Sequence, residues 1–529
     1  AGPHTMKFGV NITSTEDYQD QLINRYGSYS YSTLNSFALD FTGNTTGAKN
    51  WNTYSQAFGN PIVDTYMKTY GFYAQDQFRI TPKLTLNYGL RYDYTSIPQP
   101  TIVNPDYPQT GIIPSAKDNF GPRAGISYSF DGKTIFRAGY GMFFARTQSG
   151  LISTLFTSNN LYRQSITYNS GTAAQLAAGP VYPNNLASTS FTPPPGTVDI
   201  TFADKNFRNP YTHQGNVSVE RKITSDLNVT VSYLWSRGVR LYGVRDLNVG
   251  PLGAPITYTI LDPNGNPAGS YTTATYSLPR PDSRYRRLNQ VENPGISYYD
   301  GMSVQVNRRF RNGLQFLGSY TWSHAIDFNQ SNGSNNIFFS SGPTSYENGK
   351  FAEEKGSAAN DVRHRAGFSI VWSPTLSHGD GFVARYLLNN WQLSEITSLQ
   401  SSAPLNSTTV VNGNAFTGAL VSGSLNGCGC GFSRVPFQPV SNLDLDPIKK
   451  IDARLSKKLP FSERVTGYLT FEAFNVTNSQ YNTSKRTDEF SLSGTTLSYI
   501  PSYGTGSSTA SSPDGTNARR AQVSMRLVF

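Results

Sequence analysis

The tightest grouping of residues able to do chemistry is Asp361-Val362-Arg363-His364-Arg365, a carboxylate, two guanidiniums and an imidazole in one short run. General acid–base catalysis needs such groups to converge on one proton. In an extended chain, successive side chains point to opposite sides, so Asp361, Arg363 and Arg365 fall on one face near the top of a strand and His364 on the other. The run therefore reads as charge lining one face of a strand rather than as an active cluster. The cysteines, Cys428 and Cys430, flank Gly429. Two ligands are too few for a zinc site, and one pair is no disulfide framework. A local disulfide between them, in an exposed loop of an oxidising compartment, would be strained by the one-residue spacing. The 5 His residues show no metal-ligand spacing, and no G-x-S-x-G, H-E-x-x-H or Walker pattern occurs. Nothing here requires catalysis, a metal or a cofactor.

Composition points instead to a wall. Of 529 residues only 37% are hydrophobic, yet 13% are aromatic, with 33 Tyr and 31 Phe, and 15% are charged. Many aromatics and amides with few charges suit a sheet that is apolar on one side and polar on the other. No apolar run approaches the roughly 18 residues of a membrane-spanning helix, but a spanning strand needs only about 9–11 alternating residues. The net charge of +10 comes from dispersed Lys and Arg without a nucleic-acid motif. It fits contact with lipopolysaccharide or an anionic solute better than with nucleic acid.

The hydrophobic period is two. Leu84, Leu86, Tyr88, Leu90, Tyr92 and Tyr94 alternate with Thr85, Asn87, Gly89, Arg91 and Asp93. Residues 120–130 and 227–235 repeat the pattern, with Leu234 as an exception. Alternation of this kind also marks soluble sandwiches. The aromatic strand ends and the loop lengths favour a transmembrane barrel. Thr81-Pro82-Lys83, Asp131-Gly132-Lys133, Thr224-Ser225-Asp226 and Arg311-Asn312-Gly313 are tight-turn sequences. Residues 147–208, 237–296, 325–359, 402–448 and 478–517 are long Gly-, Ser-, Asn- and Pro-rich connections. Short turns are expected at the periplasm and long loops outside, with residues 373–389 an oddly long connection on the short-turn side. The expectation is an all-β, antiparallel outer-membrane β-barrel with about fourteen strands, or sixteen if residues 29–41 contribute.

A charge facing lipid at mid-bilayer costs about 2–4 kcal/mol, so polar faces must turn to the lumen. That assigns Arg79, Arg91, Asp93, Arg123, Arg137, Arg363, Arg365, Asp452, Arg454, Glu472 and Arg526 to the lumen, as partners of a plug or as the lining of an anion-favouring pore. Loop stretches at 161–164, 271–276 and 329–339 carry aromatics and amides suited to ligand contact, and are also ordinary loop sequence. At the end of the chain, Ala521, Val523, Met525, Leu527 and Phe529 alternate with Gln522, Ser524, Arg526 and Val528. This amphipathic strand with a terminal aromatic resembles the signal read by the barrel-assembly machinery.

Several stretches resemble TonB-dependent receptors. GFYAQDQFRITPKLTLNYGLRYDY from Gly71 resembles their barrel hairpin. The Oar-like branch is resembled by NFGPRAGISYSFDGKTIFRAGYGMFFAR from Asn119, RNPYTHQGNVSVERKITSDLNVTVSYLWSRG from Arg208 and YDGMSVQVNRRFRNGLQFLGSYTWSHAID from Tyr299. NDVRHRAGFSIVW from Asn360, FEAFNVTN from Phe471 and NARRAQVSMRLVF from Asn517 agree with it. The resemblance implies a barrel of 22 strands, an N-terminal plug and active uptake of a nutrient ligand driven by the TonB complex. Residues 1–529 carry no recognisable plug, TonB-contact segment or leading small domain, and open on Ala1-Gly2-Pro3-His4 without a signal peptide. They are therefore expected to be a barrel portion whose N-terminal part lies elsewhere. Two alternatives remain at this level: a self-closed passive channel, and a barrel that displays loops or partners at the surface.

Because Phe529 ends the last amphipathic strand, its deletion should lower outer-membrane levels of the protein without changing the strand pattern. Undiminished levels of the truncated chain in isolated outer membranes would refute the assembly-signal reading.

Overall fold

A computed structural model describes residues 2–171, 173–187, 195–196, 198–276, 280–328, 354–379, 381–411, 420–421, 432–507 and 518–529. Fourteen strands, each hydrogen-bonded antiparallel to the next, make one continuous sheet. They are β1 (His4–Asp20), β2 (Ile62–Thr81), β3 (Leu84–Ser96), β4 (Phe120–Ser129), β5 (Thr134–Phe144), β6 (Tyr211–Lys222) and β7 (Leu227–Asp246). They continue as β8 (Arg287–Arg311), β9 (Leu314–Asp327), β10 (His364–Trp372), β11 (Trp391–Gln400), β12 (Ile448–Pro460), β13 (Thr466–Phe474) and β14 (Arg520–Val528). Two short segments extend the sheet to sixteen strands: Asp199–Ala203 along β8 and Gly356–Ser357 along β9.

Register makes the two faces consistent from strand to strand. One row runs Phe78, Leu86, Ile126, Ala138, Val217, Tyr233, Met302, Trp322. Its neighbour runs Arg79, Thr85, Ser127, Arg137, Ser218, Ser232, Ser303, Thr321, Arg365, Gln400. A one-residue slip would exchange the faces, so the pattern itself specifies the pairing. The apolar side chains do not pack into a core: Phe8 is 72% exposed and Met525 66%. A sheet that turns this much apolar surface outward suits lipid rather than water. Among the described residues no helix is long and apolar enough to cross a membrane.

Tight turns close the hairpins at one end. Thr81 Oγ1 accepts the Leu84 amide at 3.0 Å, Asp131 Oδ1 accepts those of Lys133 and Thr134, and Asn312 and Gly313 take φ of 51° and 74°. Left-handed φ at both central positions is what a two-residue type I′ hairpin demands. The connections at the other end, residues 21–61, 97–119, 145–210, 247–286, 328–363, 401–447 and 475–519, are long.

The structure corrects two expectations. Residues 29–41 add no wall strand: Ser28–Ser30 joins Thr53–Gly59 and Arg163–Asn169 in a separate three-stranded sheet, and α1 (Leu34–Phe41) is capped by Thr33. Residues 237–296 are not all loop, since β7 and β8 stay paired as far as Asp246 and Asn289, with register shifts around Leu241. Bulges of this kind bend a strand without ending it. The terminal strands do not pair with each other: β1 bonds only β2, and β14 only β13, among the described residues.

Protease added to intact cells should cut only within the long connections. Cleavage at Thr81-Pro82-Lys83 or Asp131-Gly132-Lys133 would overturn the assignment of the short turns to the periplasm.

Candidate functional site

Two features stand out: the polar face and the structure built over its long-loop end. On the polar face, period two brings most of the expected charges into pairs. Arg91 grips Asp93 at 2.7 and 2.8 Å, Arg137 meets Glu220 at 2.8 Å, and Arg454 meets Glu472 at 3.1 Å. Gln522 also donates to Glu472. Asp452 lies 3.4 Å from Lys450 and accepts the Asn475 amide, while Arg365 donates to Gln400. Arg123 lies over the Phe143 ring at 4.4 Å. Arg79 and Arg526 are exposed. Arg363 turns to Asp361 at 2.8 Å and His324 at 3.1 Å, and His324 follows the Trp322 side of β9.

Small residues beside the arginines let the guanidiniums lie along the wall. A Cβ on Gly71 would sit 2.5 Å from Arg91 Nη2 and 2.8 Å from Asp93 Oδ1. Gly121 is the register partner of Arg91, and Gly89 and Gly141 are those of Arg123. The result is a shallow cavity of about 680 Å³ lined by Lys7, Gln75, Gln77, Asn87, Arg91 and Arg123. It is a basic, amide-rich surface suited to hydrogen-bonding a polar chain or an anion. Among the described residues no group of three or more His, Cys, Asp or Glu is placed to hold a metal.

At the long-loop end the connections fold over this face. On β2, Met67 is 3% exposed while its neighbour Tyr66 is 51% exposed. Met67 has the parity of Gln75 and Arg79, so what covers it lies on the polar side. The cover is α2 (Ser149–Thr157), whose Leu151, Ile152 and Leu155 pack against Met67, Ile97, Ile113, Phe207, Tyr242 and Val291. A second cluster joins Trp51, Tyr54, Phe58, Ile166 and Tyr168. A third lies in a seven-stranded sheet assembled from three long connections, where Tyr258, Val435, Phe490, Leu492 and Leu497 are buried.

Ion pairs tie these loops down. Arg434 pairs with Glu354 at 2.8 Å, and Arg286 with Asp199 at 2.7 Å. Hydrogen bonds from Arg284 hold the Asp282 carboxyl well below the usual range, and those from Lys485 and Asn482 bring Asp446 down to about 2.

The loop stretches singled out as aromatic have structural partners here. Tyr162 donates to the Ile62 carbonyl at 2.5 Å, and Tyr271 packs against Phe437 in the seven-stranded sheet. Residues 329–339, Cys428 and Cys430 lie outside the described residues. Sequence reading missed α2 because its apolar residues sit inside a long polar connection, and only their burial against distant strands marks them.

No curated protein matches the chain. Among solved structures it is similar to the outer membrane transporter YddB from Escherichia coli, at 11% identity and a TM-score of 0.48, over 100% of this chain and 52% of that one. The FrpB iron transporter from Neisseria meningitidis gives 12%, 0.47, 100% and 53%. The siderophore receptor PirA from Acinetobacter baumannii gives 10%, 0.45, 99% and 52%. The chain thus spans about half the length of these structures. A family model, the outer membrane beta barrel domain, matches residues 1–522. With its alternating sheet and outward apolar face, this chain belongs to the outer membrane beta barrel domain family and is integral to the outer membrane.

Proposed function

We propose that the chain is the barrel portion of a TonB-dependent, Oar-like receptor for active uptake of a nutrient ligand, with the long loops outside and the short turns at the periplasm. The observation that carries this reading is the open sheet: β1 and β14 each lack a second partner among the described residues. In hydrocarbon each unpaired N–H or C=O costs several kcal/mol, so both edges need further strands. About eight more would complete the 22-stranded wall of plugged transporters. The ordered sequence motifs support the same reading.

In that assembly the lumen-facing charges have a defined task. Arg91, Arg123 and Lys7 line the cavity where a plug would rest, and the paired Arg137, Arg454 and Glu472 keep the remaining wall polar. A plug seated against this face would carry the contact with the TonB complex. Val523, Met525, Leu527 and Phe529 would serve the assembly machinery. The packed core around α2 argues against free passage, because it fills the polar side of the mouth with apolar side chains.

Two outcomes test this. The full gene product should bind the periplasmic domain of TonB and form no steady pore in a planar bilayer. Stable conductance from residues 1–529 alone would overturn the reading and favour a self-closed channel. Separately, Leu151→Ala and Leu155→Ala should each remove about 2–5 kcal/mol from the core over the mouth. Protease should then cut the 145–210 loop at least ten times faster on cells, with heat-modifiable migration unchanged. An unaltered cleavage rate would mean that α2 does not close the mouth.

A further inference from the structure

One connection on the short-turn side breaks the pattern. Its companions span residues 82–83, 130–133, 223–226, 312–313 and 461–465, whereas this one spans 373–390. It is a built element. Residues Val383–Leu388 form a π-helical turn, Asn389 Oδ1 accepts the amides of Leu376 and Ser377 at 2.8 and 3.0 Å, and Tyr386 donates to the Pro460 carbonyl at 2.8 Å.

The turn lies on the outside of the wall. Lys457 shares the face of Leu455 and Leu459, whose partners Phe471 and Gly467 lie beside Val523 and Leu527. An ammonium there would face lipid, yet Lys457 is only 4% exposed. The helical turn covers it: Nζ donates to the Leu387 and Asn389 carbonyls, and lies 4.8 Å from the Trp391 ring. Trp391 Nε1 donates to the same Leu387 carbonyl at 2.8 Å. Lysine near the C-terminal carbonyls of a helical turn satisfies acceptors that would otherwise be orphaned.

Having buried its polar end on the wall, the turn presents apolar side chains outward. Phe382 is 71% exposed and Leu387 59%, with Val383 and Leu388 beside them. Arg385, also exposed, stands next to Tyr386 at the same level. Apolar residues with an aromatic and one cation fit the boundary between headgroups and acyl chains. The patch is continuous with the membrane-facing wall.

We propose that residues 382–388 form a foot that inserts into the phospholipid leaflet next to the short turns, with Arg385 reaching the headgroup phosphates. On the orientation proposed above, that is the periplasmic leaflet.

The test uses the full gene product carrying Cys428→Ser and Cys430→Ser, reconstituted in phosphatidylethanolamine–phosphatidylglycerol vesicles, with bimane at Val383→Cys, Met525→Cys or Lys83→Cys. In brominated lipid, the Val383 and Met525 labels should lose at least half their fluorescence, and the Lys83 label should be unchanged. Quenching at Met525 without quenching at Val383 overturns the foot alone, and points to a protein or a second copy covering the patch. Absence of quenching at both overturns the lipid-facing wall and the foot together. Equal quenching at Lys83 overturns the foot as a distinct element.

Discussion

Backbone hydrogen bonding inside a hydrocarbon layer is the constraint from which the rest of this structure follows. Water is absent there, so each N–H and C=O must find its partner in a neighbouring strand. The ladder from β1 to β14 meets that demand strand by strand. Once every strand is paired, the two-residue period leaves no freedom about which side chains face lipid. The same constraint bears on the two outer edges, where β1 and β14 each have one strand partner among the described residues.

Charge follows from the ladder. At three positions an ionised group on the apolar face is held by partners. Asp76 lies 2.6 Å from His4 Nδ1 and accepts from the Tyr88 hydroxyl and the Thr5 amide. Asp300 takes the Tyr233 hydroxyl and the Arg237 guanidinium near the long-loop margin. Lys457 is roofed by a helical turn. An isolated charge on this face would cost about 2–4 kcal/mol at mid-bilayer. The polar face carries its arginines with glycines beside them, which lets the guanidiniums lie along the sheet.

Beyond the membrane the constraint relaxes and ordinary folding rules return. The long connections bury Trp51, Leu151, Ile152 and Leu497 almost completely, as small soluble domains do. Their partners come from distant parts of the chain. Strand Leu252–Leu261 pairs in parallel with Thr496–Tyr499, and Thr408–Val411 with Asp488–Ser493. Loops that assemble in this way form a fixed cover rather than a set of independent tethers.

The local pattern of the sequence determined the wall: alternation in residues 84–94 and 521–529, turn residues at Asp131-Gly132 and Asn312-Gly313, and the parity of Arg91, Arg137 and Arg454. These are legible because period two and turn chemistry depend only on neighbours along the chain. Tertiary structure decided what depends on distant partners. Arg363, just before β10, bonds Asp361 and the distant His324. Residues 29–41 become a short strand and a helix, because Tyr54 and Tyr168 offer the first a sheet to join and Thr33 caps the second. β7 and β8 run on past the expected loop boundary, since each supplies the other's hydrogen bonds even where the apolar alternation has faded. Burial against residues remote in the chain has no local signature, and for that reason the cover over the mouth and the roof over Lys457 appear only in the folded molecule.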